Sequence, residues 1–372
     1  YGYTGFYINA GQWIRYGENN TICVRAMNSS QPNSRWYTGT GIYRPVWLYV
    51  LPKAYICMDG IKITTVDAER RKIRISTETT AKGMVRFEIL DNNKVIKVIE
   101  DETQGHYETV TELPEIRLWS PDTPVLYNCR VVYTSAYGEA DEESVKFGIR
   151  SVTCNSQDGF CINGKRVILK GACIHHDNGL LGACAYDFAE KRKIRLLKEN
   201  GYNAIRSAHN PCSKALLNAC DELGMLVVDE YVDMWYIHKT KYDYANKVKQ
   251  NYKKDLKCIV DKDYNHPSVI MYSTGNEVAE TAQKEGIELC RNMTEYLHNI
   301  DSSRPVTCGI NIFFNFLSSM GFGVYSDKKA DQAAENVKKK KAVGSEFFNR
   351  LSGIMGAVFM KFGATLYPCD MK

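Results

Sequence analysis

No run of apolar residues in this 372-residue sequence approaches the ~20 needed to cross a bilayer as a helix. No two cysteines stand in a CxxC pair, which removes the common zinc-ribbon and dithiol signatures. The cysteines number 13, an odd count, and several (Cys57, Cys129, Cys220, Cys308) lie inside apolar runs. They read as buried free thiols and not as a disulfide framework. Excess charge is also scarce, at +5. The densest basic run, four lysines at 338–341, has no aromatic residues interleaved, so it reads as a solvated helix face. Neither a membrane nor a nucleic acid is therefore expected as a partner. An initiator Met is missing too: the first residue is Tyr1, within a strand-like pattern. The lack of a signal peptide thus says nothing about export, and localisation stays open between cytoplasm and periplasm. The expectation is an internal piece of a longer protein.

What is present is an ordinary composition for a soluble protein, 24% charged and 44% hydrophobic, long enough for two or three domains. Residues 1–52 read as β, with strands expected at 3–8, 21–25 and 45–50. Three strands cannot close a sandwich, so this is expected to be the second part of one. Residues 53–150 read as a complete second β domain. About seven short alternating segments, separated by turns such as Asp91-Asn-Asn93, have the size of an immunoglobulin-like sandwich. Trp119 reads there as a packing anchor.

From 151 the rhythm becomes strand, loop, helix. A hairpin turning on Asn163-Gly164 leads to a first strand at 167–171. Further strands are expected at 203–207, 225–229, 269–273 and 305–308, with helices at 186–200, 213–223, 247–262 and 279–299. Ser213 reads as an N-cap, and Gly201 and Gly224 as C′ residues. This alternation predicts a parallel sheet and an incomplete (β/α)8 barrel over 151–372, with a helical insertion from about 311.

The chain is organised around residues 265–278, where a buried strand ends in Gly275-Asn276-Glu277. The carboxyl ends of barrel strands form the catalytic face. Alone, Glu277 could equally be an acid favouring a helix dipole. The other strand ends carry polar sets too: His175-His176-Asp177, then Arg206 with His209-Asn210, then Asp229-Glu230 with Asp233 and Trp235. Each has a plain alternative: a helix cap, a turn, a buried Arg206–Glu230 ion pair. Four sets at one end are harder to dismiss, and no such set is expected at the opposite end. Adjacent histidines in an extended segment point opposite ways, so a metal chelate is disfavoured. Glycoside hydrolysis fits best, because it needs a carboxyl to protonate the leaving oxygen and a second to attack. Asn276 is placed to contact a sugar 2-OH, and Trp235 to offer a flat face to a sugar ring.

The motifs Thr40-Gly-Ile-Tyr-Arg-Pro-Val-Trp-Leu48, Gly171-Ala-Cys-Ile-His-His-Asp177, Asn203-Ala-Ile-Arg-Ser-Ala-His-Asn-Pro211, Val228-Asp-Glu230 and Gly275-Asn-Glu277, in this order, resemble glycoside hydrolase family 2. The resemblance runs over nearly the whole chain. It implies a multidomain fold, β then α/β: a jelly-roll sugar-binding domain (its C-terminal part at 1–52), an immunoglobulin-like domain (53–150) and a TIM barrel (its N-terminal part at 151–372). It implies a retaining β-glycosidase, β-galactosidase-like first and β-glucuronidase second, with a β-linked glycoside as partner and Glu277 as acid/base. Asn276, Arg206, His175, Asp177 and His209 match pocket positions, and Glu230 and Trp235 join them as candidate substrate contacts. No cofactor is implied. The positions after Glu230 read Tyr-Val-Asp-Met-Trp and lack the histidine of the metal site found in some β-galactosidases, so no metal is expected. The family's nucleophile follows a seventh strand, expected beyond Lys372. Glu346, in Gly-Ser-Glu, is a disfavoured candidate because its neighbours continue a helical pattern. The chain alone is therefore expected to be inactive. A non-catalytic carbohydrate-binding protein is the reading from another class, and homo-oligomerisation of the whole protein stays open.

Overall fold

The computed structural model describes residues 1–322 and 324–341. Residues 1–52 contain turns and extended chain but no paired strand. The three expected strands differ here for a physical reason. A strand exists only through a ladder to a neighbour, and none of the described residues supplies one. Phe6, Ile8, Ile22, Val24, Val46, Leu48 and Val50 accordingly stand exposed.

The next seven strands are β1 (Lys62–Asp67), β2 (Lys72–Glu78), β3 (Gly83–Asp91), β4 (Lys94–Thr103), β5 (His106–Glu112), β6 (Tyr127–Ser135) and β7 (Ala140–Phe147). They form two antiparallel sheets, β1-β2-β5 and β4-β3-β6-β7. That order is an immunoglobulin-like sandwich. Alternation fills its core: Ile73 and Ile75, Val85, Phe87 and Ile89, and Cys129, Val131 and Tyr133 all face inward. The Tyr127 hydroxyl accepts the Arg117 N–H at 2.8 Å, tying the start of β6 to the chain before it.

A small sheet follows: β8 (Val152–Asn155), β9 (Gly159–Ile162) and β10 (Lys165–Arg166). The β9–β10 turn is Asn163-Gly164, both at positive φ (52° and 72°), as a tight hairpin requires. Then come the five parallel strands β11 (Gly171–Ile174), β12 (Ala204–Ser207), β13 (Leu226–Glu230), β14 (Val269–Ser273) and β15 (Val306–Thr307), paired in sequence order. Between and after them lie α1 (Asp187–Glu199), α2 (Lys214–Leu223), α3 (Ala245–Asp263), α4 (Lys284–Ile300), α5 (Ile312–Ser319) and α6 (Asp327–Lys341). Sequential parallel order with crossover helices is the wall of a TIM barrel, five strands of it among the described residues. The Ser213 side chain accepts the Leu216 N–H, and Gly224 closes α2 in the left-handed region, as their residue types predict.

Three expectations need correction. The first barrel strand lies at 171–174 and not 167–171. Its ladder begins where Gly171 meets Ala204, and a Cβ on Gly171 would stand 2.7 Å from the Ala204 carbonyl oxygen. The helix expected over 279–299 begins with a 3-10 turn, Ala279–Ala282, before α4. The amino end of the sheet also carries charges. Arg150 donates to the Pro267 and Val269 carbonyls, and Arg304 to those of Val269, Tyr264 and His266 and to Asp301. Their donors are spent on backbone carbonyls and on Asp301, which makes this set a structural brace.

Trp119 is fully buried, and its Nε1 donates to the Asp221 carbonyl at 3.0 Å, anchoring the sandwich to the foot of the barrel. No disulfide joins the described cysteines: Cys129 and Cys220 are buried, Cys57 and Cys308 half-buried, and Cys23, Cys154 and Cys173 exposed. Among the described residues no helix is long and apolar enough to cross a membrane. The lysine run at 338–341 is helical, but its side chains lie outside the described residues, as does Glu346.

Candidate active site

The polar residues that follow the parallel strands meet at the carboxyl end of the sheet. Arg206 on β12 and Glu230 on β13 are neighbours. Arg206 Nε donates to Glu230 Oε2 at 2.8 Å, and Nη2 donates to the same oxygen. Glu230 is fully buried, and it also accepts from His209 Nδ1 (2.7 Å) and Ser273 Oγ (2.6 Å). A buried carboxylate with three donor groups has fixed geometry. It in turn orients Arg206, whose Nη2 donates to Asn276 Oδ1 at 3.1 Å.

Asn276 and Glu277 follow β14, where Ser273, Thr274 and Gly275 let the chain turn. Asn276 is buried, and Nδ2 donates to Asp233 Oδ1 at 2.7 Å. Glu277 sits in the left-handed region, at φ 45°, which is uncommon for a residue with a Cβ. Its side chain is one-third exposed (33%) and lines, with Arg206, Asn276 and Phe313, an open depression of about 510 Å³. The one described cation paired with it is Arg35, with Nη1 3.4 Å from Oε2.

His175 and His176 point opposite ways, as an extended pair must. The His175 ring lies 5.1 Å from Trp36 and 5.5 Å from His209, whereas His176 Nε2 donates to the Asn210 carbonyl at 3.1 Å. Burial, with help from neighbouring positive groups, pushes the His175 imidazole down to about 4 and that of His176 to about 3. Both are neutral near pH 7. Among the described residues no three His, Cys, Asp or Glu side chains are grouped to hold a metal ion.

Two expected contacts lie elsewhere. Trp235 is wholly buried in the barrel core, with Nε1 donating to the Thr274 carbonyl at 2.9 Å, so it offers no face to a sugar. The loop turns it inward because three successive N–H groups, of Trp235, Tyr236 and Ile237, converge on Glu280 Oε1. Asp177 does not join the cluster: its Oδ1 accepts the Gly179 N–H at 2.8 Å and it lines a groove against α1.

In their place stand residues with no motif. Arg35 and Trp36 arrive from the first 52 residues. Arg35 Nη2 reaches Asp233 Oδ1 at 2.9 Å, and Nη1 donates to the Tyr325 hydroxyl at 2.8 Å. Trp36, half-buried, also lies 5.2 Å from His209. Lys239, on the loop after β13, has a buried side chain that donates to Asp233 Oδ1 (3.0 Å) and to the Asn276 carbonyl (2.6 Å). The polar run at 28–35 was the only hint of Arg35, and nothing marks Lys239.

At the mouth a carboxyl thus stands beside an amide and an arginine. A family profile described as "Glycosyl hydrolases family 2, TIM barrel domain" matches residues 154–348, and one described as "Glycosyl hydrolases family 2" matches residues 58–150. The chain belongs to glycosyl hydrolase family 2. It is 32% identical over 357 residues to the β-galactosidase BoGH2A of Bacteroides ovatus, a match covering 84% of this chain and 42% of that protein. It is 32% identical over 317 residues to a putative β-glucuronidase of Formosa agariphila, covering 83% and 30%. Among solved structures, a family 2 member from Bacteroides cellulosilyticus superimposes with a TM-score of 0.78 at 39% identity, covering 86% of this chain and 46% of that one. The chain thus spans 30–46% of the length of these family 2 relatives.

Proposed function

We propose that the whole protein is a retaining glycosidase that releases terminal β-linked sugars, with Glu277 as acid/base. The observation that carries this reading is the shared mouth: Glu277 lines one depression with Arg206 and Asn276, and Arg206 leads through Glu230 to His209 and His175. Glu277 donates a proton to the glycosidic oxygen as the bond to the anomeric carbon breaks. A second carboxylate bonds to that carbon. Water then releases the sugar, with Glu277 taking the water's proton. Among the described residues that line the depression, Glu277 is the one carboxyl. Among the described residues Asn276 keeps a second side-chain N–H and a second lone pair without a partner, open to the sugar 2-OH. Arg206 and Glu230 hold Asn276 in place, and His175, neutral near pH 7, and His209 offer ring nitrogens to hydroxyls.

β-Galactosides are the first substrate class to test and β-glucuronides the second, since relatives named for both activities match at similar identity. The boundaries 1–52, 53–150 and 151–372 are part of the same proposal. The experiment is Glu277→Gln in the whole protein, assayed with a 2,4-dinitrophenyl and a methyl β-galactoside. Protonation of the leaving group matters only for the second, so about 10²–10⁴-fold loss should fall there. Equal activity of Glu277→Gln and wild type on the methyl glycoside would remove Glu277 from this role.

A further inference from the structure

Asn276 and Glu277 do not hold their own conformation. Glu277 is at φ 45°, where a side chain is disfavoured unless its surroundings fix it. The peptide before it is gripped twice. The Asn276 carbonyl accepts Lys239 Nζ at 2.6 Å, and its side-chain Nδ2 donates to Asp233 Oδ1 at 2.7 Å. Lys239 and Asp233 are themselves an ion pair, 3.0 Å apart, each side chain 2% exposed. Burial pulls the lysine pKa down, against the pull of Asp233.

A pair this deep adds little net stability, because both charges lose their water. It is not even arranged for full pairing. Arg35, Lys239 and Asn276 all crowd Asp233 Oδ1, while the buried Oδ2 has no partner among the described residues. The surrounding loop is nonetheless rigidly braced. Asp243 accepts the N–H groups of Lys239 (2.8 Å) and Thr240 (2.9 Å), and Glu280 accepts those of 235–237. The Tyr325 ring lies over the ammonium, its centroid 5.2 Å away. All of this holds one ammonium against one carbonyl.

We propose that Lys239 is a positioning residue for Glu277: by fixing the Asn276 carbonyl it sets the direction in which the Glu277 side chain leaves the backbone. This rests on the reading of Glu277 as acid/base. Lys239 is buried behind the residues that line the depression, so its effect passes through one peptide unit. A misplaced acid is costly only where the leaving group must be protonated.

The test is Lys239→Met in the whole protein, with kcat/KM measured on methyl and 2,4-dinitrophenyl β-galactosides beside Glu277→Gln. The expected result is a loss of about 10–100-fold on the methyl glycoside and under about threefold on the dinitrophenyl glycoside. Lys239→Met strips Asp233 of one cation and can impair folding. The double variant Lys239→Met/Asp233→Asn removes both charges and should show the same selective loss. A uniform loss on both substrates in the double variant, or none, overturns the proposal. Should Glu277→Gln itself fail to discriminate between the substrates, the acid/base reading falls first and by a separate measurement.

Discussion

Arg206 and Glu230 stand on adjacent parallel strands, and two nitrogens of one guanidinium converge on a single carboxylate oxygen, Oε2. The other oxygen takes His209, so one buried carboxylate fixes the ends of two segments at the mouth. Removing it strands a half-buried arginine without its counter-charge and His209 without this hydrogen-bond partner. Glu230→Ala should therefore cost about 3–5 kcal/mol of barrel stability, read by urea unfolding, with activity lost as well. A change under about 1 kcal/mol, the range of exposed pairs, would show that the pair is not the brace it looks like.

Trp36 and Trp235 should separate cleanly. Trp36 is half-buried against His175 and His209, whereas Trp235 is sealed in the core. Trp235→Ala should lower stability by about 3–5 kcal/mol, as large core truncations do. Trp36→Ala should leave the unfolding midpoint close to wild type and raise KM. Kinetics and melting curves on the two variants decide this, and the opposite pattern would return Trp235 to the sugar site.

The contrast shows what could be seen in the amino-acid order. Strand β14 and helix α2 fell where apolar runs and capping residues put them, because those signals are local. Strand β7 carries little local signal: Ala140-Asp-Glu-Glu143 has weak β preference, and only pairing with β6 makes it a strand. Glu277, Asn276, Arg206 and His209 were legible because each closes a strand, and strand ends share a face by topology. Arg35 lies 242 positions from Glu277, and no periodicity links them. Trp235 misled because an aromatic after a strand does not reveal which way its loop turns. Glu280, 45 positions on, decides that.

Acid should weaken the fold through the two neutral histidines. An unfolded histidine titrates near 6.5, whereas burial holds His175 at about 4 and His176 at about 3. Between those values the unfolded chain binds more protons than the folded one. Stability is thus fully present above pH ~6.5 and falls as pH drops toward 4, by up to about 1.4 kcal/mol per pH unit for each histidine. His176→Gln should flatten that slope, as seen in urea midpoints from pH 7 to 4.5. An unchanged slope would assign the acid sensitivity to the carboxylates instead.

Gly309 closes the mouth by having no side chain. It follows β15, and its N–H donates to the Gly275 carbonyl at 2.8 Å. A Cβ there would stand 2.7 Å from that same oxygen, 3.0 Å from Arg206 Nη2 and 3.2 Å from the Asn276 Cα. Two of these atoms are backbone and the third belongs to the Arg206 ion pair, so none can move without disturbing the site. Gly309→Ala should cost about 1–3 kcal/mol from overpacking. Its larger effect should be on catalysis, because the displaced groups are those that hold Asn276 beside Glu277. Measured kcat/KM should fall further than the loss of folded protein accounts for. If activity per folded molecule, counted by circular dichroism at the assay temperature, stays at the wild-type level, the mouth tolerates the extra methyl and the close packing of β14 on β15 is not what positions the pair.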